Sequence, residues 1–303
     1  MRDKRRKKTG RQPAAPVRRD TQGRAHLVIH HDEQGAPIRL GLSRPLFNQA
    51  WQNQVALGAA GTAHGFLAAG HTLEQAVELG RSAMAGTSKI IDGLLRGAAD
   101  RPLACRAGCA HCCHQQVGVS VPEVLAIYDH LRRTRARDEL EATVARIRDA
   151  DDGTRGMTAA ERLSPEFPCP FLVDDRCSIY EVRPLACRGT NSLDEAACER
   201  NLRDPVARAR FIAGETSAPA YLEPIRAFHA VAAGMQLALD DLHGLEVAPL
   251  ELTAAMRVLI DDPEGVPQRW LGGQDPFAAA RGGDNSNDPR IRELLGRSDD
   301  GGE

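Results

Sequence analysis

Apolar residues recur at helical spacing along most of this chain, and the cysteines begin where that spacing lapses. Leu73, Val77, Met84, Ile91 and Leu95 mark one face of a helix that opens at Thr72, where Thr72-Leu-Glu-Gln75 has the form of a capping box. Upstream, Ser43 as a cap and Pro45 in a first turn predict a helix running past Trp51 and Val55 to Phe66. Gly58, Gly61 and Gly65 either interrupt it or permit close packing. Ser120-Val-Pro-Glu123 is a second capping box, opening a helix with Val124, Ile127, Tyr128 and Leu131 on its apolar face. Residues 138–150 predict a charged helix with Leu140, Val144 and Ile147 along one side, stopped at Asp151-Asp152-Gly153. Two more helices are expected over 218–242 and 249–260, through Leu222, Phe228, Met235 and Leu239, then Leu252, Met256 and Leu259. Residues 26–42 read differently: two short extended runs flank a Gly-containing turn, which predicts a small hairpin. His30 and His31 would point to opposite faces of its strand.

The expected fold class is therefore mainly α, a helical domain with an irregular cysteine-cluster core and a small N-terminal β-hairpin. Composition agrees with that, because 42% of the 303 residues are hydrophobic but only 4% aromatic, which leaves Ala, Leu, Val and Ile to build the core. The formal charge of -2 conceals +8 within residues 1–24 and -10 over the remainder. A stretch so basic and so poor in large apolar residues cannot offset the entropy of ordering. The domain reading is thus a disordered basic tail over 1–24, a single helical domain over 25–271 containing the cysteine region 101–200, and a disordered tail over 272–303 with a weak helical island near 291–295. The basic arm suits contact with nucleic-acid phosphates, although a merely solvated tail is the simpler expectation. No apolar run follows the first basic residues as a secretory signal needs, and none is long enough to span a membrane, so a reducing cytoplasmic setting is expected.

In that setting clustered thiols point to metal or redox chemistry more than to disulfides. Four of the eight cysteines fall within nine residues, Cys105 to Cys113, and the other four lie between 169 and 198. The second group sits in turn-rich sequence, with Ser164-Pro165, Pro168, Pro170, Asp174-Asp175 and Arg183-Pro184, which metal binding would help to order. Cys105, Cys109, Cys112, Cys113, Cys169, Cys177 and Cys187 are the candidate ligands. They exceed what one zinc can use and suffice for a four-cysteine iron-sulfur cluster plus a second site. Cys112 and Cys113 are adjacent, so their side chains should diverge. His111, His114 and Cys198 stay open as ligands. Arg183 and Arg188 are expected to offset the concentrated negative charge, the alternative being surface pairing with Glu181 or Asp194. The triplet Cys105-x3-Cys109-x2-Cys112 also matches the spacing of radical SAM enzymes, whose repeated strand-helix units have no counterpart downstream.

Taken together, C-x3-C-x2-C-C, then C-P-F-L at Cys169, C-x-I-Y at Cys177 and R-P-x-x-C-R ending at Arg188 resemble the YkgJ-type cysteine-cluster family of zinc- or iron-chelating proteins. That resemblance covers Cys105 to Arg188 and implies a metal-binding domain, with iron-sulfur or zinc as the cofactor. Flagellin lysine N-methylases have a similar cysteine arrangement, which implies a protein-modifying methyltransferase as the alternative activity. No Gly-rich strand-to-helix loop is present to hold a methyl donor.

Overall fold

The computed structural model describes residues 47–98 and 101–281, together with the backbone of strands at 17–19, 25–31 and 37–41. The expected cap at Ser43, Pro45, the hairpin turn and the helical island at 291–295 lie outside the described residues.

Strands β1 (Val17–Arg19), β2 (Ala25–His31) and β3 (Pro37–Gly41) form an antiparallel sheet in the order β1-β2-β3. The β2-β3 pair is the expected hairpin, and β1 adds a strand from the stretch that composition assigned to the tail. Helices α1 (Ala50–Leu67) and α2 (Leu73–Ala98) follow. After an irregular loop come β4 (Gly118–Val119), α3 (Val121–Thr134), α4 (Arg137–Thr154) and the single turn α5 (Ala159–Arg162). The second cysteine region contains β5 (Leu172–Val173), β6 (Arg176–Cys177), α6 (Leu185–Gly189) and α7 (Glu195–Arg203). The chain closes through α8 (Pro205–Ile212), α9 (Leu222–Asp241), β7 (Leu250–Glu251), α10 (Leu252–Asp261) and α11 (Gly265–Leu271).

Helices α1 and α9 pack along each other through small residues, with Ala56, Ala60, Ala63, Ala227, Ala230 and Ala238 all fully buried. A Cβ on Gly234 of α9 would lie 2.0 Å from the carbonyl oxygen of Ala56, so only glycine allows this crossing. Gly80 does the same for α2, where a Cβ would sit 2.0 Å from the carbonyl oxygen of Pro122 at the start of α3. Helix α1 runs through its glycines without interruption, and Gly58 and Gly65 face open space rather than a close neighbour. The main apolar core of the described residues joins α1, α2, α3, α9, α10 and α11 around Leu57, Met84, Ile127, Met235, Met256 and Trp270, with a small satellite of Phe47, Ala56 and Ala230. Val77 and Met84 enter the main core as their spacing predicts and Ile91 is buried, but Leu73 remains 38% exposed at the helix start.

Two boundaries move. Helix α4 continues through Asp151-Asp152-Gly153 because Asp151 is buried and accepts from the Arg155 guanidinium at 2.6 and 3.0 Å, which overrides the local stop signal. Residues 272–281 are folded rather than tail: Phe277 and Ala280 enter the core, Arg281 bridges to Leu250, and Arg155 donates to the carbonyl of Ala279 at 2.7 Å. A few apolar anchors outweigh the polar composition around them. Among the described residues no helix is long and apolar enough to cross a membrane.

Candidate metal centre

The first cysteine block is the loop between α2 and β4. The Tyr221 hydroxyl pins its entrance, accepting from the backbone N–H of Arg101 at 2.9 Å and donating to the Arg101 carbonyl at 2.8 Å. Gly108, at φ +87°, reverses the chain, and Cys109 N–H closes the turn on the carbonyl of Arg106 at 3.0 Å. A 3-10 turn over His111–His114 then presents Cys112 and Cys113. The exit is held by β4 pairing with β7 ahead of α10.

The second block returns to the first by way of α3 and α4, and Cys169 N–H donates to the carbonyl of Cys113 at 2.7 Å. Next comes a tight hairpin of β5 and β6 turned by Asp174 and Asp175, both left-handed at φ 49° and 58°. Aspartate tolerates that region better than most residues. Cys187 rides on α6, which is held from three directions. Glu123 of α3 accepts from Leu185 N–H at 2.8 Å. Gly189 lies so close to α9 that a Cβ would be 2.1 Å from Phe228 Cδ1 and 2.8 Å from the Pro224 carbonyl. The Arg188 guanidinium donates to the carbonyls of Arg183 and Glu181 at 2.8 and 2.6 Å, and to Ser88 Oγ of α2 at 2.5 Å.

Both blocks meet at Cys112. Its charge raises the pKa of Cys105, Cys109, Cys177, Cys187 and Cys198, while the Cys113 thiol, by hydrogen bonding, and then burial raise its own. Burial is the first cause at the other shifted thiols, pushing Cys169 up to about 12 and Cys187 well above the ordinary range. At Cys187 the charges of Cys169, Cys112 and Cys177 add to it. So many thiols in mutual electrostatic reach resist ionising together unless a cation lies among them. Arg183 supplies part of that charge, since its guanidinium lowers the pKa of Cys105, Cys112, Cys177 and Cys187. Its Nε is buried without a hydrogen-bond partner and its guanidinium lies 4.2 Å from the Tyr180 ring centroid.

Residues 104–204 match the CxxCxxCC family model, described as "Putative zinc- or iron-chelating domain". The match takes in about a third of the chain and all eight cysteines. It supports chelation of zinc or iron by this region and agrees with the cysteine-cluster resemblance read from the motifs. No curated protein and no solved structure matches the chain.

Within residues 104–204 the seven cysteines singled out by their spacing form one connected set, each within reach of at least one other thiol. Cys198 of α7 joins them, its pKa raised by burial and by the charges of Cys105 and Cys112. Cys169, Cys177 and Cys187 pack against the apolar core, whereas the residues Cys105 and Cys112 are exposed overall, with their sulfurs turned partly inward. His114 turns its Nδ1 to the carbonyl of Ser164 at 3.2 Å, and His111 directs Nε2 to Glu195 Oε1 at 3.8 Å. Neither Arg183 nor Arg188 forms a side-chain ion pair with Glu181 or Asp194 among the described contacts; Arg188 is chiefly a strut between backbone carbonyls and α2.

Spacing separates two kinds of site. Sulfurs sharing one tetrahedral zinc at bonds of about 2.3 Å stand about 3.8 Å apart. Among the described residues the only set of three or more ligand atoms all within 4.8 Å of one another comes from Cys109, His111 and Glu195, and no three sulfurs meet that limit. Sequence reasoning left Cys198 and His111 open as ligands and missed Glu195. Asp194 as a helix cap was the available signal, because a helix starting there puts Glu195 in the first turn and Cys198 one turn later.

Proposed function

We propose that the CxxCxxCC domain binds an iron-sulfur cluster, with Cys112, Cys169, Cys177 and Cys187 as the inner ligands. Cys105, Cys109 and Cys113 lie beside them as the further candidates from the spacing. The observation that carries this reading is the convergence of sulfurs from three segments at separations wider than a single ion accommodates. A cluster places several irons and its own sulfides between the cysteines, and so suits ligands held farther apart. Three further features support it. Three of the four inner thiols, Cys169, Cys177 and Cys187, abut the apolar core, Arg183 offsets the charge of the group, and the ligand loops are fastened to helices on both sides. A second-sphere cation and partial burial are the levers by which a protein tunes such a centre. A reducing compartment such as the cytoplasm keeps the thiols available for it.

Anaerobic purification followed by iron and acid-labile sulfide analysis and visible absorption tests this directly. Brown protein with equimolar iron and sulfide, lost in Cys187→Ser, is the expected result. Colourless protein carrying zinc at the Cys112, Cys169, Cys177 and Cys187 sulfurs overturns the cluster and leaves a thiolate zinc site.

A further inference from the structure

Cys109, His111 and Glu195 form a tighter group than any the sulfurs make among themselves, although Cys109 is still within electrostatic reach of Cys112. One ligand atom from each, a thiol sulfur, an imidazole nitrogen and a carboxylate oxygen, lies within 4.8 Å of the other two. They arrive from separate pieces of local structure. Cys109 follows the Gly108 reversal and His111 begins the 3-10 turn. Glu195 occupies the first turn of α7, whose start is fixed by Asp194 accepting from Ala197 N–H at 3.0 Å. The two carboxylate oxygens of Glu195 have different neighbours. Oε2 takes an ion pair from the Arg106 guanidinium, and Oε1 faces His111 Nε2 at 3.8 Å. A carboxylate held at one oxygen by an arginine is oriented at the other, as the outer partners of metal-bound carboxylates commonly arrange. The site faces outward: the side chains of Arg106, Glu195 and His111 are 63%, 33% and 17% exposed.

We propose that Cys109, His111 and Glu195 form a second metal site, open to solvent, for a borderline divalent ion of the zinc class. Mixed sulfur, imidazole and carboxylate donors match zinc or cobalt(II) better than the hard ions that want oxygen alone. One thiolate and one carboxylate cancel a double positive charge, so the loaded site is neutral. Three protein donors leave a fourth tetrahedral position free, the form of an exchangeable or catalytic zinc rather than a closed structural one. The proposal rests on the reading above in one respect, that the inner sulfurs belong to a centre of their own.

Cobalt(II) is the probe, added anaerobically to the full-length protein after its iron and sulfide have been measured. One equivalent beyond the inner centre is expected to bind, with tetrahedral d-d bands and a sulfur-to-cobalt charge-transfer band. Both His111→Ala and Glu195→Gln should weaken that binding at least tenfold while iron and sulfide contents stay as in the wild type. Arg106→Ala should weaken it about tenfold, the lower end for loss of a partner that orients a ligand. Failure of wild-type protein to take up the extra cobalt, or uptake with unchanged affinity in the two ligand variants, overturns the site. Glu195→Gln is nearly isosteric at a half-exposed position and keeps the test decisive if His111→Ala does not fold. Cobalt bands that depend on His111 in protein lacking iron and sulfide would sink the cluster assignment and leave this site standing.

Discussion

Glu123 is the residue where a helix start and the metal loop become one problem, and its removal should be felt in both. The side chain is 2% exposed, and its carboxylate accepts from Ser120 N–H at 2.9 Å, Ser120 O–H at 2.7 Å and Leu185 N–H at 2.8 Å. Burial raises its pKa, and these hydrogen bonds oppose the rise. In Glu123→Ala the Ser120 donors, at a half-buried position, can turn to water, so losing the cap costs about 1 kcal/mol. The Leu185 N–H lies in the core and has no such recourse, which costs a further 1–3 kcal/mol or about that. The vacated side-chain space adds roughly 1 kcal/mol, partly offset by no longer burying a carboxylate. Together these give about 3–4 kcal/mol. Glu123→Gln keeps the volume and an acceptor for Leu185 N–H but turns an amide donor toward Ser120, and should cost about half as much. Urea unfolding of the metal-free protein gives both numbers. Metal retention against a chelator reports whether α6, with Cys187, has loosened. A Glu123→Ala midpoint equivalent to less than about 0.5 kcal/mol of change, or a Gln variant worse than Ala, would refute the reasoning.

Gly234→Ala should lower thermal stability severely, by about 3 kcal/mol or more, since its Cβ would strike the Ala56 carbonyl and backbone cannot swing aside as a side chain can. Gly189→Ala should cost less, because a phenylalanine ring is its nearest neighbour, yet should speed metal loss by pushing α6 off α9; chelator-competition rates read this out. Arg183→Gln should make the proposed cluster harder to reduce, seen as a more negative midpoint in a redox titration, since it withdraws a cation near four of the thiols. Acid should destabilise the metal-free fold through His229, whose pKa burial lowers from 6.5 to about 4. The unfolded chain then binds more protons between those values, so this stability is full above 6.5 and falls away toward pH 4, by about 3 kcal/mol at most. Urea titrations across that window should show the slope, and His229→Gln should flatten it.

The helices were legible wherever a cap and a periodic apolar stripe coincided. Thr72-Leu-Glu-Gln75 and Ser120-Val-Pro-Glu123 open α2 and α3 as written, because capping chemistry is local. The α4 stop at Asp151-Asp152-Gly153 misled because the Asp151–Arg155 pair and the burial around it are tertiary. The tail boundary misled for the same reason, two buried side chains in a polar stretch. In the site, short cysteine spacings announced the chemistry and the two blocks. They carried no information on which carbonyl Cys169 would bond, or that α7 would bring Cys198 and Glu195 to the first loop. Those facts belong to the packing of α7 and of the Cys169 loop against the 111–114 turn, which spacing does not encode.

The hydrogen bond from Cys169 to the Cys113 carbonyl joins loops that the whole of α3 and α4 separates along the chain. During synthesis the first four thiols therefore leave the ribosome well before their partners exist. A nascent chain can hold metal only loosely at that stage, and the finished centre has to be loaded after residue 187 has emerged. Metal is then met by a chain that already holds both cysteine blocks, with α7 to α11 still to be added.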